Sequence, residues 1–204
     1  MSDQEERRRA SRQAAAPVLA DLADAGYRFD SLADLRHSGV RYRAAVPVLL
    51  RWLPQVTERD VKEDIVRALS VPWARPAAAR ALIEEFRRVD PALDPEGTGI
   101  RWAIGNALEV VGDDSVFAEL IELARDRRYG RARQMVVVGI GKSKDPRALG
   151  VLVELLDDAD VSGHAVKALG KLKAPEARPA LEPMLIDPRA WVRREAKKAL
   201  ARLG

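Results

Sequence analysis

VVVGIGKSKD, residues 136–145, decides how the chain is read. A valine run, two glycines around an isoleucine, then Lys-Ser: the outline is that of a strand feeding a phosphate-cradling loop. Such a loop needs Gly, four residues, then Gly-Lys-Ser/Thr, and counting back five from Gly141 reaches Val136. The first glycine is missing. Asp145-Pro146 also starts the next helix only after a turn, so no helix N-terminus follows directly to hold an anion. The remaining reading is the end of a helix, with small residues where a neighbour packs closely.

Internal repetition supports that reading. GIGKSKDP (139–146) aligns with ALGKLKAP (168–175) at an offset of 29, and KALGKL (167–172) with KALARL (198–203) at 31. Backward, ALEVVGDD (107–114) falls on GIGKSKDP at 32, and ALSVPWAR (68–75) on ALEVVGDD at 39. The longest interval contains VDPALDPEGTG, residues 89–99, an inserted loop by its Pro, Asp and Gly content. Seven residues before each anchor stands an apolar residue, usually followed by a basic one: Val61-Lys62, Ile100-Arg101, Ala132-Arg133, Val161-Ser162 and Val192-Arg193. Only Ser162 breaks the basic column.

Each repeat reads as two helices. Apolar residues at helical spacing predict helices over 60–71, 76–88, 99–111, 114–126, 131–142, 146–157, 160–172 and 175–186. In the last repeat Asp187 is the expected N-cap and Pro188 the first helical residue. Trp191, Val192, Ala196, Ala199, Leu200 and Leu203 form its expected core stripe. A lone hairpin cannot bury both faces, so the hairpins must stack.

The 204-residue chain has 47% hydrophobic and 32% charged residues and 5% aromatics, a globular balance suited to helices. Cysteine is absent, which excludes disulfides and thiolate metal sites and makes a cytoplasmic location the expectation. No apolar run is long enough to span a bilayer, and the N-terminus MSDQEERRRASRQ has no apolar segment of the export type. Residues 131–204 hold 15 Lys or Arg against 9 Asp or Glu, and 7 of the 8 lysines lie from Lys142 onward. Basic charge therefore collects toward the C-terminal end, which permits an anionic partner.

DPRAWVRREAKKALARLG (187–204) resembles one helix of a short HEAT repeat, whose pattern is roughly D-P-x-x-x-V-R-x-x-A-x-x-A-L-x-x-L. APEARPALEPMLID (174–187) resembles the paired helix, and VSGHAVKALGKL (161–172) is a worn copy of the V-R helix. The repeats are also similar to the HEAT-like repeats of phycobilisome lyases, although no chromophore site can be named. The resemblance is specific from about residue 100 onward and weaker over 43–99. It implies an all-α, right-handed solenoid of stacked antiparallel helix pairs, one helix of each pair lining a concave face. The expected organisation is a charged N-terminal arm over 1–12 and a single repeat domain over 13–204. Within that domain, 13–42 is an irregular helical cap, 43–99 holds divergent repeats and 100–204 clearer ones.

Chemistry has few carriers. His37 and His164 are the only histidines, too few for a metal site without cysteine. The His-Glu dipeptides of HEAT-repeat di-iron hydroxylases are absent, so neither a metal nor any other cofactor is expected. The serines sit at turns and helix ends, where capping accounts for them. The pairs Asp113-Asp114 and Asp157-Asp158 read the same way. HEAT-like alkylpurine DNA glycosylases use aromatic and acidic residues in a concave cleft. Trp52, Trp102 and Asp113 imitate that set loosely, but packing is the preferred role of the tryptophans.

The expected function is a non-enzymatic protein-interaction scaffold. Its candidate contacts lie on the partner helices and loops: Arg51, Trp52, Arg80, Arg87, Arg147 and Arg178. The alternative is nucleic-acid binding, with a possible link to the repair glycosylases, through an anion ridge at equivalent repeat positions. Lys142, Lys171 and Arg202 form one set of that ridge, Lys144 and Lys173 another. The helix dipole also favours cations there, and a solvated ridge is the blander reading. The first basic column, following each V, is expected to tie repeats together structurally.

Overall fold

The computed structural model describes residues 3–90, 94 and 99–203. The described residues form helices and turns without strands. In chain order the α-helices are α1 (Asp3–Asp24), α2 (Leu32–His37), α3 (Val46–Trp52), α4 (Arg59–Leu69), α5 (Ala77–Arg88) and α6 (Ile100–Val111). They continue as α7 (Phe117–Arg125), α8 (Gln134–Ile140), α9 (Arg147–Glu154), α10 (Ser162–Leu172), α11 (Arg178–Leu181) and α12 (Ala190–Ala201). Short 3-10 turns lead into or out of α7, α8, α9 and α11. α1 runs without a break across residue 12, so the charged arm and the start of the cap share one helix. Of the inserted 89–99 loop, 91–93 and 95–98 lie outside the described residues. Asp94 accepts from the Gly99 and Arg101 N–H groups at 2.9 and 3.1 Å and so caps α6.

Odd and even helices form two layers of a right-handed α-solenoid. The even helices, which carry the V-R column, pack directly on one another from α2 through α12. The odd helices pack chiefly on their own partners and stand further apart along the stack. A stack spaced more tightly in one layer curves toward that layer, so the even helices form the inner face.

Small residues create the tight spacing. A Cβ on Gly141 would lie 2.7 Å from the Ala168 Cα of α10, and one on Gly105 would lie 3.0 Å from the Ala132 carbonyl oxygen. Gly170 abuts Ala199 in the same way, where an added Cβ would meet the Ala199 Cβ at 2.8 Å. The opening stretch is thus the end of α8, closed by Gly141, as its helical periodicity implies.

One ion pair spans two steps of the inner layer. Lys171 at the end of α10 meets Glu109 of α6 at 2.8 Å, although α8 lies between them. Two ordinary helix spacings would separate α6 and α10 by roughly 16–20 Å. A lysine and a glutamate extended toward each other cover about that distance, so the pair bridges α6 and α10 across the end of α8.

The core is one continuous hydrophobic cluster, filled from both layers by residues such as Leu49, Ile65, Leu82, Phe86, Ile104, Leu152 and Leu169. The basic column is built into it. Arg101 is 2% exposed and Arg133 is fully buried. Arg101 Nε donates to the Phe86 carbonyl at 3.1 Å, and its Nη2 to that of Val89, at the end of α5. Arg133 Nη1 donates to the Ala124 carbonyl at 2.9 Å and to Asp158 Oδ2 at 2.8 Å. Lys62 pairs with Glu85 of α5. Each cation satisfies carbonyls that end the previous helix or a carboxylate of the neighbouring element. Where Ser162 breaks the column, Arg189 reaches back instead, donating to Ser162 Oγ at 2.9 Å and to the Ala159 carbonyl at 3.2 Å.

The start of the last repeat differs from the expectation. α12 begins at Ala190, with Arg189 rather than Asp187 in the cap position. Asp187 accepts from the Arg189 N–H at 2.8 Å and grips the Arg189 guanidinium, which makes an extra turn before the helix. The same Asp-x-Arg clamp recurs at Asp126–Arg128 and Asp145–Arg147. In all three, the arginine hydrogen bond holds the carboxyl below its ordinary range.

Candidate functional site: the inner helical face

The six contacts expected on the partner helices all fall on the outer, odd layer, and most are engaged within the chain. Arg51 and the Trp52 indole both donate to Asp21 Oδ2 of α1 at 2.6 Å. Arg87 pairs with Glu122 of α7 at 2.8 Å. Arg147 closes the clamp on Asp145 and stacks 5.3 Å over the Phe117 ring. Arg178 is half-buried and makes interactions of its own. Arg80 is exposed on α5 and forms no ion pair among the described residues. The outer arginines thus link neighbouring odd helices and turns. Pairs this exposed contribute about 0–1 kcal/mol each.

The lysine ridge is partly neutralised. Lys142 and Lys171 both contact Glu109 Oε1 at 2.8 Å. Burial pushes the Glu109 pKa up, but hydrogen bonds and charge from the two lysines more than offset this and leave it below its ordinary value. Lys144, Lys173 and Arg202 are exposed, with Lys173 in the left-handed region at φ 57° where it ends α10. Three of the five ridge cations therefore face solvent, and two share Glu109.

Trp52 and Trp102 lie in opposite layers, and Asp113 accepts from the Ser115 N–H and hydroxyl at 2.9 and 2.5 Å. The glycosylase-like set is not assembled. Among the described residues no cluster of three or more metal-ligating side chains occurs.

The inner face carries what the sequence reading placed elsewhere. Trp102 and Trp191, expected in the core, are 38% and 37% exposed. Trp102 follows Arg101 and opens the space beside Arg36, Arg67 and Asn106. Trp191 precedes Val192, at the lip of α12, and lies over Gly163 of α10, where an added Cβ would meet the ring at 2.5 Å. The missing side chain at Gly163 lets the indole rest on the neighbouring helix instead of entering the core. His164 sits beside it, ring centroids 5.3 Å apart and planes inclined at 58°. Burial, with help from the nearby Lys167 and Arg189 charges, lowers the His164 pKa to about 4, so its ring is uncharged at neutral pH.

His164 and Trp191 line a groove together with Arg131, Gln134, Ala159, Asp160, Gly163 and Arg189. Counted from the first residue of each V-R pair, all but Ala159 and Arg189 occupy the same few offsets in three successive repeats: one before, two after and three after. That regularity was present in the sequence, but it identifies a surface only once the inner layer is known.

Face charge changes along the stack. At the corresponding positions α4 presents Asp60, Glu63, Asp64 and Arg67. α6 presents Trp102, Ala103 and Asn106, and the repeats of α8, α10 and α12 present Arg131, Lys167, Arg194 and Lys198 against Asp160 and Glu195. The face is acidic at its N-terminal end, uncharged in the middle and basic at its C-terminal end.

The HEAT-repeat family profile matches residues 157–204, which contain α10 to α12. No curated protein matches the sequence. Among solved structures, a designed armadillo repeat protein in complex with the peptide (KR)4 superposes with a TM-score of 0.57 at 20% identity, covering 99% of this chain and 95% of that one. A second designed armadillo repeat protein gives 0.48 at 20% identity, covering 100% and 95%. At such identity the likeness is one of fold. Residues 157–204 thus match HEAT repeats, and the two layers with their V-R column are those of an α-solenoid repeat fold.

Proposed function

We propose that this chain is a non-enzymatic protein-interaction scaffold that holds a protein partner against its inner, even-helix face. The observation that carries this reading is the pair of tryptophans left 38% and 37% exposed on that face. Large aromatic side chains that a monomer leaves half in water are the residue type that anchors protein interfaces. The tight spacing of α4 to α12 gives them a stiff mounting, which lowers the ordering cost of binding. The designed armadillo protein of similar fold is in complex with a peptide, (KR)4, and a linear segment suits the stacked inner face here. The nucleic-acid alternative is weakened by Glu109, which occupies two of the ridge lysines. No helix among the described residues is long and apolar enough to cross a membrane, and a cytoplasmic partner fits the absence of cysteine.

The test is affinity capture from the native host's extract, with and without nuclease, comparing the wild type with Trp102→Ala/Trp191→Ala. A protein that survives nuclease and is lost with the double variant supports the scaffold. Recovery of nucleic acid alone, or a partner indifferent to both tryptophans, overturns it.

A further inference from the structure

The C-terminal half of the inner face combines an apolar shelf with cations that have no ion-pair partner. The shelf is the Trp191 indole lying on Gly163, extended by the uncharged His164 ring. Around it stand Arg131 at the entry to α8, Lys167 one turn beyond His164, and Arg194 one turn beyond Trp191. None of these three forms an ion pair among the described residues, whereas most of the other cations near the face do. Lys142 and Lys171 hold Glu109, Lys198 holds Glu195, and Arg189 holds Asp187. The carboxylate in the groove, Asp160, lies 3.7 Å from the buried Arg133 guanidinium. The three charges sit on three successive repeats, which stack side by side.

We propose that the inner face of α8, α10 and α12 binds an acidic linear segment of a protein partner, with an aliphatic or aromatic side chain on Trp191 and its carboxylates at Arg131, Lys167 and Arg194. The inference rests on the scaffold reading and adds the partner's chemistry and place. Charge complementarity selects the occupant. A basic segment would be repelled by these three cations, and a polyphosphate chain crossing the whole face would meet Asp60, Glu63 and Asp64 of α4. An acidic segment confined to the C-terminal half meets neither obstacle, and the shelf demands an apolar residue within it.

The probes are fluorescein-labelled dodecapeptide pools, read by anisotropy against the full chain. One pool has a fixed Phe or Leu among degenerate Asp and Glu. A second replaces the acids with Lys and Arg, a third has the acids but no apolar residue, and a short single-stranded DNA competes. The acidic pool with its apolar residue should bind best and weaken as salt rises. Arg131→Gln/Lys167→Gln/Arg194→Gln should weaken it about tenfold or more, and Trp191→Ala should weaken it while leaving the salt dependence intact. None of these side chains lies in the core, and an unchanged far-ultraviolet circular dichroism spectrum verifies the fold. No binding of the acidic–apolar pool, preference for the basic pool, displacement by DNA at equal concentration, or an unaffected triple variant overturns the proposal. If a nuclease-resistant partner is captured equally by the triple variant, this site falls and the scaffold reading stands. If neither a peptide pool nor a protein partner binds, both fall.

Discussion

Replacing Asp158 with alanine should cost this protein about 3 kcal/mol of stability. Arg133 is fully buried. Its guanidinium has the Gly130 and Ala124 carbonyls, each at 2.9 Å, and the Asp158 carboxylate at 2.8 Å. Deleting the carboxylate leaves a desolvated cation with neutral acceptors only, and such a loss costs about 3–5 kcal/mol. The lower end applies because Asp160 Oδ2, 3.7 Å from Arg133 Nη2, can move closer and recover part of the attraction. With a urea dependence of about 2 kcal/mol per molar, the unfolding midpoint should fall by about 1.5 M. The assay is urea titration followed by circular dichroism, with Arg133→Met/Asp158→Ala as companion. Removing both charges should restore much of the loss, since an apolar replacement abolishes the desolvation cost of the cation. The pH dependence gives a second readout. Burial alone would raise the Asp158 pKa, but the hydrogen bond and charge of Arg133 bring it below the ordinary 3.8. The folded state thus favours the ionised form. Its contribution is complete above that unfolded value and is lost as pH falls through the lower folded one, and Asp158→Ala should lack this acid limb. A single variant that loses less than about 0.3 M of midpoint, or a double variant less stable than the single, would refute the reasoning.

Glu109→Gln should release Lys142 and Lys171, so retention on heparin should rise; unchanged retention would show that Glu109 does not mask the ridge. His164 should titrate near pH 4 by NMR of its ring protons. Its folded pKa lies below the unfolded 6.5, so protonation favours the unfolded chain and stability should decline as pH falls from 6.5 toward 4. A ring midpoint near 6.5 would show that the shelf does not bury it.

The repeat and its helices were legible because helical period and stacking leave periodic marks. An apolar residue before a cation, a glycine or alanine at the end of each V-R helix, and proline at the turns recur because every repeat solves the same burial problem. The structural role expected of the first basic column also agrees with the geometry, with Arg101 and Arg133 tying helix ends together. The start of the last repeat was less legible. A clamp between Asp187 and Arg189 competes locally with the capping box that the sequence suggests, and local side-chain bonds of this kind do not alter the apolar period.

The sequence by itself determined where most helical segments lie, though not that 175–186 is largely 3-10 turn, together with the stacking of hairpins and the dismissal of a phosphate loop at 136–145, since these depend on spacing along the chain. The tertiary structure decided which residues are surface. Trp191 sits in an apolar stripe by period, yet it is exposed because Gly163, in a different repeat, leaves the space that draws the ring outward. Lys142 and Lys171 look like free ridge charges, yet Glu109 is brought to both because α6, α8 and α10 pack side by side in the inner layer. Period along one helix fixes which side of it is apolar. Only the spacing between helices fixes whether that side meets another helix, another charge, or water.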